Sequence, residues 1–218
     1  MKKLLPRPAR TVMAAALLGA LVAPAYADSS VVISQVYGGG GNSGATYKND
    51  FIELFNRGSA DVDLTGWSVQ YASATGASWQ VTKLNGLKLK PGQYYLVQES
   101  AGTGGTTALP TPDAAASIAM SGTAGKVALV NNSTALASAS PATGTFVDLI
   151  GFGGASYAEG TATAVLSNTT GALRANGGCT DTDNNSADFA IGAPTPRNTA
   201  SALNVCGAPQ APAIVATC

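Results

Sequence analysis

The sequence contains no histidine. That absence removes the Ser-His-Asp and Cys-His nucleophile systems, most zinc sites and the usual hydrolytic phosphodiesterase sites, all of which need an imidazole. Carboxylate-only chemistry, a calcium site, or no chemistry remain. Charged residues are scarce, at 11% of the chain, so an ionisable group inside an apolar strand stands out. No long run has helical spacing, which leaves strands to build the core.

Long apolar segments are also missing. The longest lies in MKKLLPRPARTVMAAALLGALVAPAYA, where a basic start is followed by an apolar stretch from Val12 to Val22. A mature membrane-spanning helix needs about 20 such residues. Small residues Ala25 and Ala27 flank Tyr26, so residues 1–27 read as a secretory signal peptide cleaved before Asp28. The residue directly after that point is Asp28, not a cysteine that could carry a lipid anchor. Export to the periplasm or the medium is the expected localisation.

Removing residues 1–27 leaves 191 residues, enough for one domain and a short tail. Lys2, Lys3, Arg7 and Arg10 leave with the signal, so 8 basic residues face 12 acidic ones, a formal charge of −4. Affinity for a phosphate backbone rests on Lys and Arg releasing counterions, so nonspecific nucleic-acid binding is disfavoured. Of three cysteines, Cys179 and Cys206 bracket a loop-rich segment and are the expected disulfide, worth about 2–4 kcal/mol. Cys218 is left without an obvious partner.

What is present is β-structure. Seven β-rich runs recur: VVISQVY (31–37), DFIELFN (50–56), WSVQYA (67–72), WQVTKL (79–84), YYLVQE (94–99), KVALVN (126–131) and FVDLIGF (146–152). Glycine, asparagine, proline and aspartate separate them. This pattern predicts an all-β fold, an antiparallel β-sandwich. Gly66 just before Trp67, and the Lys90-Pro91-Gly92-Gln93 turn, supply the turn chemistry that such a fold needs. Residues 115–120 allow one helical turn. The stretches 38–49 and 101–116 read as mobile connections, and the Pro- and Ala-rich residues 207–218 as a linker or the start of a downstream domain.

Three features are candidate sites. Glu53 shares a strand face with Phe51 and Phe55 while Ile52 and Leu54 share the other. If the aliphatic pair faces the core, Glu53 stands on the outer face, surface or half-buried, with a lysine of a neighbouring strand as its expected partner. Asp181, Asp183 and Asp188, with Asn184 and Asn185, offer oxygen ligands at the short spacing that calcium prefers. Ser186 and Gly192 break the EF-hand pattern, and aspartate and asparagine build turns without metal, so both readings stay open. The glycine run 38–41 lacks the Lys-Ser/Thr ending and following helix of a phosphate loop, and reads as a flexible connection. Trp67 is expected in the core.

The order of these motifs resembles the lamin tail domain, an immunoglobulin-like β-sandwich. The marks are Glu53, Leu54 and Asn56, then Asp63-Leu64-Thr65-Gly66-Trp67, then Leu89-Lys90-Pro91-Gly92-Gln93 leading into Tyr94–Val97. They cover about residues 30–152, with residues 28–206 expected to form one domain closed by a disulfide-braced extension. The resemblance implies that Glu53, Asn56, Gly66, Trp67, Pro91 and Gly92 are structural. Residues 173–206 resemble the segment that closes the N-terminal module of bacterial secreted nucleases of the endonuclease/exonuclease/phosphatase superfamily. That implies an accessory module at the front of a longer chain, and no catalytic residue carries over.

Two functional classes follow. The first is an exported, noncatalytic binding or targeting module for an envelope, polysaccharide or protein ligand. The second is a small metal-dependent hydrolase built on Asp181 and Asp183. A structural or adhesive surface protein would share the fold of the first and differ in self-association.

Overall fold

The computed structural model describes Met1 and residues 30–207. The expected signal peptide, its cleavage point, nearly all of the linker and Cys218 lie outside the described residues. The chain forms β1 (Val31–Tyr37), β2 (Asn49–Asn56), β3 (Val62–Asp63), β4 (Ser68–Ser73), β5 (Gln80–Lys83), β6 (Lys88–Leu89), β7 (Tyr94–Ala101) and β8 (Ala114–Ala115). These are followed by β9 (Gly125–Val130), β10 (Asp148–Phe152), β11 (Gly171–Arg174), a 3-10 turn at Ala175–Gly178, α1 (Asn185–Asp188) and β12 (Phe189–Gly192). No helix among the described residues is long and apolar enough to cross a membrane.

Six strands make one sheet in the order β12-β11-β1-β2-β7-β8, and four make a second, β10-β9-β4-β5; β3 and β6 form a small ribbon. The pairings are antiparallel except β7 with β8. Alternation sets which residues face between the sheets. Ile52 and Leu54 of β2, Tyr95 and Val97 of β7, Val69 and Tyr71 of β4, and Val127 and Leu129 of β9 fill one common core. A register shift between Ile33 and Gln35 lets β1 keep Val31, Ile33 and Val36 in that core. Such a bulge inserts one residue and resets the parity.

The outer faces are covered too. The opposite parity of β1, β2 and β7 places Val32, Phe55 and Tyr94 against Cys179 and Cys206, and Tyr37, Phe51 and Leu96 against Tyr47 and Leu109. On the four-stranded sheet, Ala72, Trp79, Ala128, Val130, Phe146 and Leu149 form a separate cluster under the β9–β10 loop. Trp79 is buried, whereas Trp67 is half-buried and packs on the rim of the core.

Several expectations need correction. Ala115–Met120 forms no helix: β8 ends at Ala115, and Ile118 and Met120 turn into the core. Their backbone N–H groups donate to the carboxylates of Glu99 and Asp50, at 2.9 Å each, instead of to a helical carbonyl. The stretches 38–49 and 101–116 are not slack. Lys48 N–H donates to Thr107 O, Gly102 N–H to Lys48 O and Gly104 N–H to Gly41 O. The glycines permit this approach, since a Cβ on Gly40 would lie 1.9 Å from the Asn49 carbonyl carbon. The closing segment adds two strands, β11 and β12, whose short runs GALR and FAIG carry too little β signal to be noticed.

Candidate functional site

β10 turns Asp148, Ile150 and Phe152 to the same face, so a carboxylate enters the space between the sheets. β11 does the same with Ala172 and Arg174. Arg174 is 3% exposed and Asp148 2%. The guanidinium donates through Nη2 to both Asp148 oxygens, at 2.9 and 2.8 Å, and through Nε to Ile33 O at 2.8 Å. Nη1 donates to Asp181 Oδ1 at 2.9 Å and Thr180 O at 3.2 Å, and the plane stacks on Phe189 with its carbon 4.5 Å from the ring centre. A buried charge is tolerated only with such full pairing.

Glu159 joins this group from the β10–β11 connection. Burial and the neighbouring Asp148 push its carboxyl up to about 10, so it stands as the neutral acid. Asn185 fastens the same connection to the open edge of β10. Its side chain accepts from Gly151 N–H at 2.8 Å and donates to Leu149 O at 2.9 Å, as a neighbouring strand would.

The three aspartates that offered a possible calcium site do not bring their oxygens together as one ligand group among the described residues. Asp181 pairs with Arg174 and with Arg57, at 2.9 and 3.2 Å. Asp188 is fully buried and accepts from Thr182 N–H and Oγ1 and from Asn184 N–H, with Arg174 Nη1 3.7 Å away. Asp183 is more exposed and adopts φ 54°. The carboxylates that approach one another as potential ligands are Asp148, Glu159 and Asp181, with one oxygen from each within 4.8 Å. Arg174 already supplies a positive charge among them.

Glu53 lies on the outer face of β2, between Phe51 and Phe55. It is fully buried there, and its partner is not a lysine but Arg197. After β12 the chain returns over that face as a strap, residues 193–206, which buries it. Arg197 donates from its backbone N–H and Nε to Oε2 and from Nη2 to Oε1, at 2.6, 3.2 and 2.8 Å, and lies 3.6 Å over the Tyr94 ring. Ser34 and Gln35 donate to the same carboxylate, and Gln35 also exchanges two hydrogen bonds with the Thr195 backbone. Burial pushes Glu53 up; Arg197 and Ser34 pull it back. The strap ends at the Cys179–Cys206 disulfide, the expected pair.

The β9–β10 loop makes an open concavity. Residues 130–145 curl around a hollow of about 560 Å³. Buried side chains of the sheet below hold its backbone, among them Gln70, which donates to Thr134 O and accepts from Leu136 N–H, both at 2.9 Å.

The family model described as Lamin Tail Domain matches residues 24–181. The chain belongs to the lamin tail domain family. No match was found among curated proteins. The match runs past Phe152, where the motifs became thin, through β11 and the 3-10 turn, and it accords with the immunoglobulin-like sandwich.

Within this lamin tail domain several of the marked residues lie at turns and at the end of β2. Asn56 donates to Ala60 O and Leu89 O and accepts from Gly58 N–H, tying the end of β2 to the β3–β6 ribbon. Gly66 adopts φ 82° and Gly92 φ 74°, turns that favour glycine. Pro91 precedes Gly92 in the tight turn closed by Gln93 N–H on Lys90 O. Gly92 also receives the strap, since Asn204 N–H donates to its carbonyl. Arg174, Asp148, Glu159 and Arg197 carried no motif. The available signal was parity: Asp148 alternates with Ile150 and Phe152, an inward position where an acid needs a partner.

Proposed function

We propose that this lamin tail domain is an exported, noncatalytic binding module, related to the N-terminal part of secreted nucleases. The observation that carries this reading is the use of its buried ionisable groups. Arg174 with Asp148 lies buried between the sheets, and the half-buried Arg197 covers the fully buried Glu53, so both pairs fasten the closing segment to the sheets. Family membership supports an immunoglobulin-like binding role, and the absence of histidine and the signal-like residues 1–27 accord with it. On this reading residues 28–206 are the working unit. The ligand belongs to the cell envelope, a polysaccharide or a partner protein.

The test is to incubate the purified mature chain with DNA and magnesium, and separately with envelope fractions. Retention on the envelope without DNA cleavage is the expected result. Cleavage that survives controls for host nuclease refutes the noncatalytic reading, and lack of retention refutes the binding one. A metal-dependent hydrolase is the second reading, favoured by the proximity of Asp181 to Asp148 and Glu159. Under it, alanine at both Asp181 and Asp183 abolishes an activity that the wild type must first display.

A further inference from the structure

Connections between antiparallel strands are short as a rule. The β9–β10 connection is long, and buried side chains of its own sheet reach out to shape it. Ser68 Oγ donates to Asn132 O at 2.6 Å, Trp79 Nε1 to Ser138 O at 3.0 Å and Lys126 Nζ to Ala139 O at 2.6 Å, in addition to the two Gln70 bonds. Ser68, Gln70 and Lys126 are fully buried and Trp79 is nearly so. The main chain from Asn132 to Ala139 is thus held while its side chains remain largely exposed. Ser138 adopts φ 80°, a strained conformation for a residue with a Cβ that persists only where the surroundings impose it.

The hollow inside the loop lies in the range of small-ligand sites, about 300–1,000 Å³. Its lining has no ionisable side chain. Lys126 lies below, its ammonium taken by the carbonyls of Gly76 and Ala139 and by Ser156 Oγ. A charged ligand entering here would lose hydration without a counter-charge. The lining instead alternates methyl surface, from Ala135, Ala137 and Leu136, with hydroxyls and amides, from Thr134, Ser140 and Asn131. A sugar has the same alternation of C–H and O–H faces.

We propose that the β9–β10 loop is a preformed binding site for an uncharged oligosaccharide. This rests on the binding-module reading and names the ligand class and the surface. The main-chain cage fixes the loop before ligand arrives, so little ordering entropy opposes binding.

The test is an NMR amide titration of the mature chain with malto-, cello-, laminari- and chitohexaose, with a galacturonate hexamer as charged control and a neutral Ala/Pro-rich peptide as competitor class. Ala135→Trp fills the hollow, Ala142→Trp is a second filling variant in case the first misfolds, and Ala202→Trp is an exposed control on the strap. The expected result is saturable shifts confined to residues 130–145 with at least one neutral sugar, weakened tenfold or more by a filling variant with an intact spectrum and unchanged in the control. No shift in this segment with any of the four sugars overturns the proposal. So do shifts that persist in both filling variants, or equal or tighter binding of the galacturonate or the peptide. If envelope retention also persists in the filling variants, only the assigned surface fails and the module reading stands. If the wild type is not retained at all, the module reading fails.

Discussion

Asp50 provides a quantitative test of how this sandwich holds its loops. It is 3% exposed, and its two oxygens accept from Gly40 N–H at 2.8 Å and Met120 N–H at 2.9 Å. The carboxyl thereby ties the glycine-rich loop and the segment entering β9 to the start of β2. Burial, with the Glu99 carboxyl nearby, pushes it up to about 7, against 3.8 for an exposed aspartate; the two backbone donors pull the other way. Tyr71, which accepts from Ser121 N–H, and Tyr37 face the same region. A raised pKa means that the folded state holds the proton more tightly than the unfolded chain. The stabilisation is complete below pH 3.8 and is lost as pH rises through about 7. At about 1.4 kcal/mol per unit, Asp50 removes about 4 kcal/mol of stability between pH 4 and pH 7.5. In Asp50→Asn this dependence disappears, while a pH-independent loss of about 1–3 kcal/mol appears because the amide cannot accept from both N–H groups. Urea unfolding of both proteins at half-unit steps from pH 4 to pH 8 measures the difference. Parallel profiles, or a wild type that gains stability over this range relative to the variant, would refute the reasoning.

Other predictions concern the closing segment. Cys179→Ser with Cys206→Ser opens a loop of sequence separation 27 and is expected to cost about 3–4 kcal/mol, read as a lower urea midpoint. Glu53→Ala leaves the Arg197 guanidinium without its carboxylate; trypsin should then cut after Arg197 at least tenfold faster than in the wild type, and an unchanged rate would show that the strap is held otherwise. Arg174→Met removes the cation from the buried Asp148 and leaves Asp181 to Arg57 alone, and should cost about 3–5 kcal/mol. Adding Asp148→Leu should recover part of that loss, and a purely additive cost would refute direct coupling. Isothermal titration of metal-free protein with millimolar calcium is expected to give no heat, because Asp181 is held by Arg174 and Arg57 and the Asp188 oxygens are taken by Thr182 and Asn184. Measurable binding that is lost in Asp183→Ala would reverse that expectation.

Much of the sandwich was legible because its core obeys a local rule. Ile52 with Leu54, and Tyr95 with Val97, announce an inward face by alternation alone, and Gly66 and Gly92 mark turns that need positive φ. The same alternation placed Glu53 on the outer face, but it carried no information about what returns over that face. Arg197 lies 144 residues away from Glu53 and Asp148 lies 115 from Ile33, separations at which no local pattern exists. The two loops read as mobile failed for a related reason. Glycine allows both slackness and close backbone approach, and only the partner backbone decides between them.

The sequence by itself determined the class of fold, the disulfide pair, the lamin tail resemblance and the exclusion of imidazole chemistry. Each of these depends on composition, short-range periodicity or a motif a few residues long. The tertiary structure alone decided that Glu53 is buried under Arg197, that Arg174 gathers acids between the sheets, and that residues 130–145 enclose a hollow. Those features arise where distant segments meet, and burial converts an ordinary surface charge into one that must find a partner.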